Sequence, residues 1–232
     1  MKKSTISMTI LALVLSALAF TTPAQDEENA KDLYLVHARN PQKGKPGMKV
    51  RVKLKRRGKE QWVPSDFAFR SGDQVKFFFE ANFSAYVAAI NLGTTGKLIP
   101  LFPYEGAKDL LEKGTPYELP QGDLWIRFDE NPGDEKVAFI FSSQPFHGNS
   151  PSAQEPSPRP QQGGNVTVIV NQSSSPGGGT QQQALIDLNS RALENGKDLG
   201  LYQDTSSQEG YVVVSQDMVK KPRRFLVTLR HK

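Results

Sequence analysis

The sequence predicts an all-β, antiparallel, sandwich-like domain joined to one C-terminal helix through a disordered insertion rich in Pro, Gly and Ser. Three observations predict it. From Leu33 to Phe146, short apolar runs rich in Val, Ile, Phe and Tyr recur at intervals of about ten residues, interrupted by Gly, Pro and Asp, which is the spacing of hairpin-connected strands. Residues 147–164 and 172–183 are tracts of Pro, Ser, Gly and Gln with almost no apolar content, too poor in buriable surface to offset the entropy of ordering. The 232-residue chain also contains no Cys, so packing alone must hold its core, and disulfides, thiolate catalysis and Cys-based metal sites are excluded.

In chain order, the first 24 residues read as a secretory signal. Lys2 and Lys3 give a positive start, Ile6 to Phe20 is apolar apart from Ser7, Thr9 and Ser16, and Thr22-Pro23-Ala24 offers small residues for cleavage after Ala24. An apolar run of about 15 residues is shorter than the roughly 20 that a spanning helix needs, and no Cys stands at the cleavage point for a lipid anchor. The expected product is an exported protein, periplasmic or extracellular, that does not span the membrane once cleaved.

A β-rich domain is expected over residues 30–146, with strands near 33–38, 48–56, 74–81, 84–92, 97–102, 115–119, 123–129 and 136–143 and a short helical turn within 105–113. Ser71-Gly72-Asp73, Gly93-Thr94-Thr95-Gly96 and Asn131-Pro132-Gly133-Asp134 supply turn chemistry between them. Residues 147–183 read as flexible linker with a strand island at 165–171, whose Val166–Val170 core suits addition to a sheet edge in cis or on a partner. In 184–232, Leu185, Leu188, Ala192 and Leu193 share a helix face that stops at Asn195-Gly196. Strands at 211–215 and 225–230 follow and are expected to return to the main sheet, because an isolated hairpin is only marginally stable.

The formal charge is +5, and it is concentrated: residues 41–60 hold nine Lys or Arg against one acid, Glu60. Within that segment Met48, Val50, Val52 and Leu54 alternate with Lys49, Arg51, Lys53 and Lys55, so a strand there places four cations on one face. With Arg56 and Arg57 at its end, the row is a candidate surface for an anionic envelope polymer or lipid head groups, alongside contact with another envelope protein. The plainer reading is a solvated strand face whose lysines block edge-to-edge aggregation. Trp62 and Phe67 lie nearby for base stacking, but an exported address favours envelope partners over nucleic acid.

The order of motifs carries a resemblance. Phe69-Arg70-Ser71-Gly72-Asp73-Gln74-Val75 is followed by Tyr86-Val87-Ala88-Ala89-Ile90, then Gly96-Lys97 leading to Leu101-Phe102-Pro103, then Pro120 before a strand and Phe139-Ile140-Phe141-Ser142-Ser143. This order resembles the bacterial domain-of-unknown-function family DUF4384 over roughly residues 48–143, and Leu229-Arg230-His231 looks like an ending seen in some relatives. The resemblance implies an exported or envelope protein and transfers no functional residue. The motif residues themselves have structural readings, with Gly72 in a turn and Phe69 and Tyr86 filling the core.

No catalytic residue, cofactor or metal site emerges from the motifs. There is no G-x-S-x-G elbow, and Gly177-Gly178-Gly179-Thr180 lacks the Lys of a phosphate-binding loop. His37, His147 and His231 stand far apart in sequence, with His37 and His231 on strands that are able to pair. The acidic turn Asp129–Glu135 lacks the ligand spacing of an EF-hand and reads as a hairpin loop. Asn82, Asn165 and Asn171 begin N-x-S/T tripeptides, read as coincidental in a bacterial chain. The expected function is a non-catalytic extracytoplasmic binding or scaffold module; the alternatives are an enzyme assembled from loops and a structural subunit of an envelope complex.

Overall fold

A computed structural model describes residues 25–92, 98–104, 107–146, 178–194 and 196–232. The expected signal segment, the 93–96 turn and the strand island at 165–171 lie outside the described residues. Two sheets face each other across an apolar core, with a helix lying on the outer side of each, so the β-sandwich the sequence predicts is the architecture found.

The strands are β1 (Gly47–Arg56), β2 (Lys59–Val63), β3 (Ala68–Phe69), β4 (Gln74–Ala81), β5 (Ala85–Leu92), β6 (Leu98–Phe102), β7 (Leu110–Leu111), β8 (Tyr117–Leu119), β9 (Ile126–Arg127), β10 (Gly133–Ser142), β11 (Tyr202–Asp204), β12 (Glu209–Val213) and β13 (Arg223–His231). The first sheet runs β11-β12-β1-β4-β8, with β2 also paired to β1 and β9 to β4. The second runs β3-β13-β10-β5-β6, with β7 also paired to β5. All these named pairings are antiparallel except β3 with β13.

Period-two alternation builds the core. Met48, Val50, Val52 and Leu54 of β1 and Val75, Phe77, Phe79 and Ala81 of β4 point inward, where they meet Val87 and Ala89 of β5, Val137, Phe139 and Phe141 of β10, and Phe225, Val227 and Leu229 of β13. Aromatic rings tie the two sheets together: Phe77 and Phe79 of the first lie 5.8 and 5.5 Å from Phe139 of the second, and Phe139 stacks on Phe225 at 5.3 Å. Each such ring removes a large apolar area from water and adds a specific ring contact.

Two expected elements are corrected. Residues 33–38, expected as a strand, lie inside helix α1 (Gln25–Arg39). The run Leu33–Ala38 is too short to discriminate strand from helix by its apolar content. It buries Tyr34 and His37 three residues apart while leaving Val36 exposed, a helical period, and the preceding Glu, Ala and Lys favour helix. The helical turn expected within 105–113 is absent from its described part: Leu110–Leu111 pairs instead with Ala85–Tyr86, with Leu111 fully buried.

The second helix is α2 (Gly178–Glu194). Leu188 and Ala192 pack on Ala88, Ile90, Ile140 and Phe146 on the outer side of the second sheet. Arg224 fastens it, donating to Asn189 Oδ1 at 2.7 Å and to both carboxylate oxygens of Asp198 at 2.5 and 2.8 Å. Helix α1 is fastened to the first sheet by Asn82, which is buried: its carbonyl accepts from Gly47 N–H at 2.8 Å, and its amide donates to the carbonyls of Tyr34 and Lys45. The Asn82 side chain is thus fully committed inside the fold. No helix among the described residues is long and apolar enough to cross a membrane.

Candidate anion-binding face

The outward face of the first sheet is read off the register. Across the strands β11, β12, β1 and β4 the first row is Tyr202, Tyr211, Lys49, Glu80. The next row is Glu209, Arg51, Phe78, Glu118; then Trp62, Lys53, Lys76; then Glu60, Lys55, Gln74, Arg127. Lys49, Arg51, Lys53 and Lys55 therefore share one face, and β1 is an interior strand with neighbours on both sides, so these cations guard no sheet edge.

The row is not uniform. Lys49 Nζ lies 3.1 Å from Glu80 and 3.9 Å from Glu209, and Arg51 Nε lies 3.9 Å from Glu209. Helix α1 reaches over this end: Tyr34 meets the Tyr211 ring edge-on at 5.4 Å and donates to Glu80 Oε1, and Lys31 pairs with Asp204 at 2.5 Å. Burial raises the Tyr34 and Tyr211 hydroxyls far above the ordinary tyrosine range, reinforced by the carboxylates they contact. The Lys31 ammonium and the Ser206 and Ser207 hydroxyls hold the Asp204 carboxyl well below its usual range. At this end Lys31 and Lys49 are each closely paired with an acid, while Arg51 stands near Glu209 without a hydrogen bond to it.

The other end carries a surplus. Lys53 pairs with Glu60 at 2.9 Å, and that contact lowers the Glu60 carboxyl. Glu60 stands directly across from Lys55 but is engaged diagonally by Lys53, so Lys55 feels Glu60 only at longer range, and Lys55, Arg57 and Lys59 have no carboxylate within ion-pair distance among the described residues. Lys76 is buried, bonded to Glu118 at 3.3 Å and to the carbonyl of Gly122. Trp125 packs against two ammonium groups, Lys55 and Lys76, each 5.2 Å from its ring centre.

Trp62 divides the two ends. It reaches from β2 across β1 to meet Phe78 of β4 edge-on, ring centres 5.0 Å apart, with the Arg51 guanidinium carbon 3.7 Å and Lys53 Nζ 5.4 Å from its own ring centre. Cation–π contacts of this kind fix the long side chains in place and lower the entropy they lose when an anion binds.

Arg56 belongs elsewhere. Its place in the alternation turns it to the opposite face of β1, where both its Nε and Nη2 donate to Asp73, at 2.7 and 2.6 Å. Burial pushes the Asp73 carboxyl up, but the Arg56 fork and the Arg70 N–H outweigh it and hold the group below its ordinary range. Arg56 and Asp73 thus fix the Ser71-Gly72 turn, in which Gly72 has a φ of +83°. Arg57 is exposed at the β1–β2 turn with a φ of +51°.

The remaining candidates do not assemble. His37 lies on α1 beside Gln216, whereas His231 ends β13 with Nε2 3.2 Å from Ser71 Oγ. No carboxylate hydrogen-bonds His231 among the described residues; Asp129 lies near enough to feel its charge but spends its hydrogen bonds on Asn131. Asp129 accepts from the backbone and side-chain amides of Asn131, closing the hairpin loop on itself. No group of three potential metal ligands occurs among the described residues.

Sequence reasoning located the four β1 cations and Trp62 but missed Lys76, Phe78, Glu80, Trp125 and Glu209. The alternation in 74–81 already places Lys76, Phe78 and Glu80 opposite the apolar set. Glu209 joins the face only through the pairing of β12 with β1, which no local pattern reveals.

Comparison with protein-family models matches residues 68–145 to the family described as "Domain of unknown function (DUF4384)". No curated protein and no solved structure matches the chain. The matched segment starts at β3, passes through the Phe69–Asp73 turn and ends just past β10, and over that segment the chain is similar to the DUF4384 family, as the motif order suggested.

Proposed function

We propose that the protein is a non-catalytic, extracytoplasmic binding module that contacts an anionic component of the cell envelope through the outward face of its first sheet. The observation that supports this reading best is the cationic surplus at the β1–β2 end, where Lys55, Arg57 and Lys59 have no carboxylate within ion-pair distance among the described residues and Lys55 is braced on Trp125. Surplus charge on a rigid sheet raises the local concentration of polyanions and accelerates encounter. The export reading rests on the residues of the first 24 positions.

The test is co-sedimentation with isolated cell envelopes at low and high salt. Pelleting at low salt that is lost at high salt is expected, and it should disappear when Lys53, Lys55, Arg57 and Lys59 are replaced by Glu. Lys49→Ala should leave it unchanged, because Lys49 is already neutralised by Glu80 and Glu209. Protein that stays in the supernatant at low salt sinks the proposal.

A further inference from the structure

The row Glu209, Arg51, Phe78, Glu118 has a chemistry of its own. The Arg51 guanidinium lies 3.7 Å from the centre of the Trp62 ring, so its position is held, yet it donates no hydrogen bond among the described residues. Its Nε is buried and 3.9 Å from Glu209 Oε1, outside hydrogen-bond reach, and Glu209 is instead engaged by the Tyr211 hydroxyl. With 29% of its side chain exposed, Arg51 is a pre-positioned fork lacking an acceptor. Such a fork matches a planar carboxylate by two parallel hydrogen bonds.

The neighbours of that fork narrow the ligand. Phe78, partly buried and directly across from Arg51, offers the uncovered part of an apolar ring beside it. Carboxylates stand at both ends of the row, Glu209 beyond Arg51 and Glu118 beyond Phe78. Both acids already have partners, Lys76 for Glu118 and Lys49 and Tyr211 for Glu209, and a ligand that presents only oxyanions, such as polyphosphate or a sheet of phosphate head groups, brings no donor to them. A sugar acid meets them with hydroxyl donors. The four rows of the face contain no aliphatic side chain that would enter a lipid layer.

We infer that Arg51 is the carboxylate-reading position of this face and that its ligand is an acidic polysaccharide, with a sugar carboxylate on the Arg51 fork and a sugar ring against Phe78. This inference rests on the anion-binding reading above and narrows it to one class of polymer.

The test measures binding of the protein expressed from the full chain to polygalacturonate, its methyl ester, polyphosphate and polyglutamate, by calorimetry at low salt. Polygalacturonate should bind at least about tenfold more tightly than each of the other three, since a good bidentate charged contact is worth about one factor of ten or more. Arg51→Lys keeps the charge and removes the fork, and should cost about tenfold on polygalacturonate with an unchanged melting temperature; Arg51→Gln should cost more. Equal binding of polyphosphate or polyglutamate, or indifference to Arg51→Lys in a folded variant, overturns the inference while leaving the anion-binding module standing. Failure of all these polyanions together with failure of envelope co-sedimentation removes both.

Discussion

The outer sides of the two sheets are finished in opposite ways. On the second sheet, Ala88, Ile90 and Ile140 form an apolar surface that α2 covers with Leu188 and Ala192. On the first sheet, Lys, Arg and Glu alternate with Trp62 and Phe78, and α1 covers only the Tyr211 end. A face built of aliphatic residues demands a cover to keep it from water; a face built of paired charges and braced rings needs none. The difference separates a face made for packing from one made to stay in contact with solvent and whatever solvent carries.

The largest expected effect comes from breaking what both faces share. Phe139→Ala removes a ring that contacts Phe77, Phe79 and Phe225, and should cost about 3–5 kcal/mol in chemical denaturation; a cost below about 1 kcal/mol would show that the sheets are not locked through these rings. Asn82→Ala acts on one side. It strands the Gly47 N–H and removes the amide's bonds to the Tyr34 and Lys45 carbonyls and should cost about 1–3 kcal/mol, with amide exchange accelerated in α1 and unchanged in α2. Equal acceleration in both helices would contradict independent attachment.

The smallest effect is one of pH. Burial, aided by the nearby Lys113 charge, lowers the His37 imidazole below its ordinary value even though a backbone contact with Lys43 acts the other way. The folded state therefore holds His37 neutral and the unfolded chain binds the proton more readily. Its contribution to stability is complete above about pH 6.5 and is lost as pH falls through the lower folded value. The protection of α1 amides, after correction for the intrinsic pH dependence of exchange, should fall from pH 7.5 to pH 5.5, and His37→Gln should flatten that dependence.

The fold was legible wherever alternation was long. Residues 74–81 alternate cleanly enough to fix β4 to the residue, and Met48–Leu54 reveals both the core side and the cationic side of β1. Legibility failed for α1, where Leu33–Ala38 carries apolar residues at a spacing that either element accepts and the outcome depends on docking to Tyr211, remote in sequence. The candidate site was half legible for the same reason: each strand shows what it turns outward, but not which strand lies beside it. The neutralisation of Lys49 by Glu209 spans the chain from β1 to β12, and only the assembled sheet makes it visible.

The order of strands has one more consequence, for how the molecule comes into being. The segment matched to the family holds β3 to β10, yet β1, interior to the first sheet, precedes it, and β13, interior to the second, ends at His231. The first sheet is complete only once β12 has been made, to Val213, and the second only once β13 has been made, to His231. Pairings between residues so remote in sequence close slowly, so a nascent chain exposes both half-built sheets throughout its emergence, and the family segment cut out alone is a sandwich missing a strand from the middle of each slice.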